Sequence, residues 1–248
     1  VHEFVEGTVR KAGLPVKKVD IPVHHYGRLD TVRLAEKGEA YFQIGKKKLE
    51  EKGGADPKAL FELGVQAAEL KKFGEARALF EKLISLCPNY PLALFNLGFT
   101  YMSLNLYQDA LETTRKAYEL DPEYKECVIN YAHCEIIAGN INQGISLLEK
   151  VIKKVPDYAP ALGVLSAGYY LGERKEEGLR ILADLSRRGF NCTACLHDLA
   201  LGLHGMGRFK EAVAVIEEAV KTNNVRGDTS EILKKSYNAF MGDGGNDR

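Results

Sequence analysis

A 34-residue period runs through most of this chain, and few folds accommodate one. Stepping from Pro57 by 34 gives Pro91, Lys125, Ala159 and Thr193. The column Leu60, Leu94, Val128, Leu162, Leu196 is apolar throughout, and Leu63, Leu97, Tyr131, Leu165 and Leu199 stand three residues on. Each of these precedes a small residue: Gly64, Gly98, Ala132, Ser166 or Ala200. Later columns read Ala76, Ala110, Gly144, Gly178, Ala212, then Phe80, Thr114, Leu148, Leu182, Ile216, then Leu83, Ala117, Val151, Leu185, Ala219. Pro88, Pro122 and Pro156 close the first three units, with Phe190 and Asn224 at that place in the last two. Five units stay in phase over 170 residues without an insertion. Apolar residues at three- and four-residue steps give each helix one buried stripe. Small residues in the matched columns let the two helices of a unit approach closely, and Pro stops the second helix.

The pattern resembles the tetratricopeptide repeat, a helix–turn–helix of 34 residues. The resemblance implies an all-α fold, a right-handed α-solenoid of five units over residues 57–226 with a concave side. One isolated unit leaves an apolar face bare, so both ends need caps. Within residues 29–56, Leu29–Lys52 reads as the N-terminal capping helix, with Leu34, Tyr41, Phe42 and Leu49 facing the solenoid and Gly53-Gly54 ending it. Within 227–241, Thr229–Met241 reads as the C-terminal cap, with Ile232, Leu233, Tyr237 and Phe240 on one stripe. Residues 242–248 form a polar, Gly-rich tail that is expected to fray.

Before Pro57 the repeat columns fail. Val16–Val23 alternates loosely and carries β-branched residues, which predicts a strand. Residues 1–28 hold too few apolar groups for a core of their own and read as an edge cut from another domain. Val1-His2-Glu3, a Gly about ten residues on, and Ile21-Pro22-Val23-His24-His25-Tyr26-Gly27 resemble the C-terminal end of a bacterial family 2 glycosyltransferase domain. The resemblance implies a short strand-containing remnant, and a full-length parent that uses a nucleotide sugar and a divalent metal, Mn or Mg. His25 would be the metal-side residue of that parent, an imidazole at a strand end. The Asp-x-Asp that grips metal and diphosphate, and the carboxylate base, would lie upstream of Val1. This chain alone is therefore expected to hold no catalytic residue and no cofactor. The rival expectation is a working nucleotide-sugar-dependent transferase. With Val1 in place of an initiator Met, the chain is expected to be a processed product or an excerpt.

Composition narrows the function. Thirty-four basic and 34 acidic residues cancel, so the chain lacks the basic field that non-specific nucleic-acid binding needs. Its longest apolar runs, such as Ala212–Ile216, fall far short of the roughly 20 residues of a membrane span. Five irregularly spaced cysteines make no disulfide framework and point to a reducing, cytoplasmic setting.

In tetratricopeptide proteins the first helix of each unit lines the concave side, so the resemblance places a groove here. Its columns are Phe61, Phe95, Ile129, Gly163, His197; Val65, Phe99, His133, Ala167, Leu201; and Ala68, Met102, Ile136, Tyr170, His204. So apolar and aromatic a surface marks a binding site for a protein or peptide, unless the capping helix or another chain covers it. Phe61 and Val65 stand where a Lys and Asn carboxylate clamp would begin, so that clamp is not met. Asn96 and Asn130 lie one repeat apart on the same helix face, and an amide can bond a peptide backbone in either sense. They are similar to the asparagine ladder in the repeat domain of the eukaryotic O-linked N-acetylglucosamine transferase, although Glu62, Val164 and Asp198 break the series. Self-association through the solenoid is a further alternative.

Other candidates read more plainly. His24 and His25 alone make an incomplete metal site and read as solvated strand-end residues. Cys192-Thr193-Ala194-Cys195 opens a helix without a thioredoxin-like surround and reads as inert or merely oxidisable thiols. Cys127 and Cys134 read as small packing residues, and Lys46–Lys48 and Arg187-Arg188 as solvated faces. His197 and His204 sit seven apart facing the groove, where a metal is a minor alternative.

Overall fold

The computed structural model describes residues 31–51, 53–190, 193–221 and 229–243. The expected strand Val16–Val23, the remnant 1–28 and His24, His25 and Tyr26 lie outside the described residues, as do Cys192 and the tail beyond 243. Among the described residues all regular structure is helical. Helix α1 is Thr31–Glu51, and ten helices follow as consecutive hairpins. They are α2 (Pro57–Glu69) and α3 (Phe73–Leu86), α4 (Pro91–Ser103) and α5 (Tyr107–Leu120), and α6 (Lys125–Ala138) and α7 (Ile141–Lys154). The last two pairs are α8 (Ala159–Leu171) with α9 (Lys175–Arg187) and α10 (Thr193–Gly205) with α11 (Phe209–Lys221); α12 (Thr229–Asp243) closes the series. The first helix of each hairpin begins at the position the 34-residue period predicts.

Local chemistry sets these boundaries. Asp56 Oδ1 accepts from the amides of Lys58 (3.0 Å) and Ala59 (3.2 Å), capping α2, and Pro57 and Pro91 sit in the first turn, where their missing N–H costs nothing. The first helix of four hairpins ends on a left-handed residue in one repeat column: Lys71, Asn105, Gly139 and Gly207. The next amide then reaches back five residues, Lys72 to Ala67 O, Leu106 to Tyr101 O, Asn140 to Glu135 O and Arg208 to Leu203 O, at 2.8–2.9 Å. This satisfies carbonyls that the helix leaves open and turns the chain sharply.

The small columns sit where helices touch. A Cβ on Gly64 would lie 2.6 Å from the Phe80 ring, and one on Gly98 2.5 Å from Thr114. Ala76, Ala110, Ala132, Ser166 and Ala200 are fully buried. Helix α1 covers the first hairpin with Phe42 and Leu49, and Lys46 and Lys72 flank the Phe42 ring while pairing with Glu75 (2.8 Å) and Glu39 (3.0 Å). Lys46 is thus part of that junction rather than a solvated face, and Tyr41 points outward instead of inward. At the other end Tyr237 is also exposed and Ser236 is buried, while the side chains of Ile232, Leu233 and Phe240 lie outside those described.

Candidate functional site

The expected groove is largely closed by the winding of the solenoid. Helix α10 packs directly on α6, two hairpins earlier, as well as on the intervening α8. Glycine permits the approach: a Cβ on Gly202 would lie 2.5 Å from Ile137 Cδ1, and one on Gly205 2.2 Å from the Tyr107 ring. Arg208, in the turn after α10, donates from Nη1 to the carbonyls of Ile136 (3.1 Å) and Ile137 (3.0 Å) at the end of α6. Its Nε donates to Glu211 at 2.7 Å, which holds the guanidinium in place.

Several expected groove residues are therefore interior. Ile136 and His197 are fully buried, and Ile129 and Tyr170 are 6% and 8% exposed. The Tyr170 hydroxyl donates to Ala214 O on α11 (3.2 Å), tying α8 to the last hairpin. His204 faces α12, with Nδ1 2.9 Å from Ser236 Oγ and its ring against Phe209. Phe61 stacks on Tyr90 (5.3 Å between centroids) and Phe95 meets Tyr124 edge-on (5.4 Å), so both rings fill junctions between consecutive hairpins. The Asn96 amide donates one N–H to Leu92 O of its own helix (2.7 Å).

What stays open is a cavity of about 490 Å³ between the first, second, third and fifth hairpins. Phe73, Phe99 and Met102 form one wall, and Asn130, His133, Ile137, Asp198 and Leu201 form the facing one. Lys71 and Asn105, the left-handed residues of the first two turns, stand at its rim. Phe99 is 44% exposed and meets Phe73 edge-on at 6.3 Å. The Tyr107 hydroxyl donates to Asn105 Oδ1 at 2.8 Å, fixing the second turn. Of the expected site residues, the structure brings Phe99, Met102, Asn130 and His133 together here.

Its electrostatics follow from burial. His133 keeps a little surface toward the cavity, but desolvation pulls its imidazole down to about 4, leaving it neutral near pH 7. Burial, and then the nearby Asp198 carboxylate, push the Tyr107 phenol up, so it stays protonated. The Asn130 side-chain nitrogen is buried and has no hydrogen-bond partner among the described residues. A buried amide donor left unpaired is costly, so it favours any ligand that offers it an acceptor. Among the described residues no three His, Cys, Asp or Glu side chains gather as a metal site, and no helix is long and apolar enough to cross a membrane.

Sequence reasoning missed two things: the contact between alternate hairpins, and the use of Phe61 and Phe95 as junction packing. The second had a signal in the column Tyr90, Tyr124, Tyr158, which places a tyrosine just before each following helix.

Comparison with known families bears on the repeats directly. One tetratricopeptide repeat model matches residues 57–90 and 91–124, and another matches 192–224. The chain carries tetratricopeptide repeats. The matched tetratricopeptide segments are hairpins α2–α3, α4–α5 and α10–α11. No curated protein matches the chain in sequence. Solved structures match in fold. MamA from Desulfovibrio magneticus RS-1 (residues 41 to the end) gives a TM-score of 0.54 at 16% identity, over 62% of this chain and 90% of that one. A tetratricopeptide repeat protein from Parabacteroides merdae ATCC 43184 gives 0.55 at 15% identity, over 94% and 90%. YrrB, a tetratricopeptide protein with an unusual peptide-binding site, gives 0.53 at 20% identity, over 82% and 98%. At these identities the likeness is one of fold.

Proposed function

We propose that this chain is a protein-interaction module that takes a peptide segment into the cavity between α4, α6 and α10. The observation that carries the reading is that cavity itself, with half-exposed Phe99 in one wall and, in another, Asn130, whose buried side-chain nitrogen has no hydrogen-bond partner among the described residues. A bulky apolar side chain against Phe99, with a backbone carbonyl accepting from the Asn130 amide once it turns into the cavity, would use both. Because α10 closes on α6, the ligand enters as a short segment and does not thread the whole superhelix. The peptide-binding YrrB supports this reading by analogy of fold. On the proposed reading all five hairpins of this chain are tetratricopeptide units, α6–α7 and α8–α9 included. The test is selection of displayed peptides on wild type and on Phe99→Ala. Wild type should enrich sequences with an apolar anchor that Phe99→Ala no longer retains, and identical enrichment on both would sink the proposal.

The finer reading is that the chain is the partner- or acceptor-recruiting end of a bacterial, cytoplasmic family 2 glycosyltransferase. Only the motif run in residues 1–28 supports it. In that reading the diphosphate and its metal are held by residues upstream of Val1, and His25 is the metal-side residue. Two experiments check it. The purified chain should show no turnover of a nucleotide sugar with Mn²⁺ or Mg²⁺. In the full-length protein, His25→Ala should sharply reduce transfer and leave the fold intact.

A further inference from the structure

A second concavity shares no lining residue with the cavity just described. It is a cleft of about 600 Å³ between α5 and α7, above the start of α6. Tyr118, Val128, Leu147, Val151 and Val155 line it, and Val155 is 41% exposed. Lysines surround this apolar floor. Two are already engaged: Lys154 with Glu123 at 2.5 Å, and Lys125 with Glu126 at 3.1 Å and with the Tyr158 ring. Lys150 and Lys153 line the cleft, are exposed, and have no ion-pair partner among the described residues.

The repeat supplies an internal control. One unit later the equivalent cleft, between α7 and α9, carries Asp184 where Lys150 stands, and Arg187 and Arg188 where Lys153 and Lys154 stand. There the charges cancel within the fold: Asp184 pairs with Arg187 (3.1 Å) and Arg188 (3.4 Å), and Arg188 reaches Asp157 (3.3 Å). One unit earlier, Lys116 is accompanied by Glu119 and Leu120. Two lysines one turn apart without an ion-pair partner among the described residues, beside an apolar trough, thus set the α5–α7 cleft apart from these two neighbours.

We propose that this cleft docks an acidic amphipathic helix of a protein partner. Leu147 to Val155 spans about 12 Å of helix rise, which matches two turns of a docked helix. An apolar stripe at i, i+3 and i+7 would lie on Leu147, Val151 and Val155, with flanking carboxylates reaching Lys150 and Lys153. The site is independent of the peptide cavity, and so is its test.

The experiment immobilises the full chain and screens displayed 16-residue helices with Leu at i, i+3 and i+7. Flanking positions are randomised among Glu, Gln and Lys. The expected result is enrichment of Glu at the flanks. The best peptide, made synthetically, should lose at least about tenfold in affinity on Lys150→Glu/Lys153→Glu and weaken in high salt. It should bind Phe99→Ala as it binds wild type, which separates this site from the cavity. Circular dichroism establishes that the charge-reversed variant is folded, and Lys150→Gln/Lys153→Gln should show a smaller loss. Enrichment of Gln or Lys, or equal enrichment on wild type and the charge-reversed variant, would overturn the proposal. So would the absence of any selected helix together with lysine-dependent binding to phosphatidylserine vesicles, which would make the cleft a membrane contact instead.

Discussion

Arg208 donates a hydrogen bond to the main-chain carbonyl of Ile137, 71 residues earlier in the chain, at 3.0 Å. Arg208 belongs to the turn of the last hairpin and Ile137 to the end of α6, so the bond joins units that are not neighbours in the repeat. Arg208→Ala removes charged donors from two carbonyls, and hydrogen bonds to charged groups are worth about 1.5–3 kcal/mol. A loss of that order is expected in chemical denaturation. Arg208→Lys should recover little of it, because a single ammonium lacks the guanidinium fork that serves Ile136, Ile137 and Glu211 together.

Gly202→Val tests the same closure from the side of packing. The new Cβ would fall within 2.5 Å of Ile137 Cδ1 and 2.7 Å of its Cγ1, so helix α10 must move outward. Overpacking of this kind costs about 1–3 kcal/mol. Small-angle scattering should report a larger radius of gyration than wild type, while circular dichroism retains the helical signal. An unchanged radius would mean that the α6–α10 contact is absent in solution.

The binding prediction separates three aromatic and polar positions that look alike in sequence. Losing one ring's apolar contact costs about 1.5–3 kcal/mol, and losing one net hydrogen bond about 0.5–1.5 kcal/mol. Phe99→Ala should therefore weaken a selected cavity peptide more than Asn130→Ala, with little change in stability. Phe95→Ala should do the reverse, lowering stability by about 1.5–3 kcal/mol through its lost contact with Tyr124 and sparing the peptide. Titration calorimetry and denaturation on the three variants settle the order.

His133 predicts a pH dependence with a defined sign. Its imidazole is lowered from 6.5 to about 4 by burial, so between those values the unfolded chain binds the extra proton. Stability is then highest above pH 6.5 and falls as the pH drops toward 4, by up to about 3 kcal/mol from this group. Carboxylates held down by cationic partners, such as Glu75 beside Lys46, lose their contribution only at still lower pH. His133→Gln should flatten the slope between pH 6.5 and 4.5 in a denaturation series; an unchanged slope would place the responsible proton elsewhere.

The fold was legible because one hairpin's packing is local. Leu60, Gly64, Ala76 and Phe80 meet within a unit, and repetition of that set places every helix. The site was less legible because it depends on curvature summed over several hairpins. Nothing in the Ile129, Ile136 or Tyr170 columns says that another helix arrives to cover them. The available hint was the run of small residues at Gly163, Ala167, Gly202 and Gly205, which marks close backbone approach rather than an open wall. The local bond of Asn96 was not legible either: a carbonyl four residues back, Leu92 O, lies within reach of its amide.

The meeting of α6 and α10 also changes how such an array comes apart. A solenoid whose units touch only their neighbours behaves as a one-dimensional chain, and its end units fray one at a time. Here the last hairpin is bonded to the third, so it cannot leave without uncovering Ile136 and Ile137 from the middle of the molecule. The third through fifth hairpins should therefore exchange their amide hydrogens as one cooperative block, with the first two able to open separately.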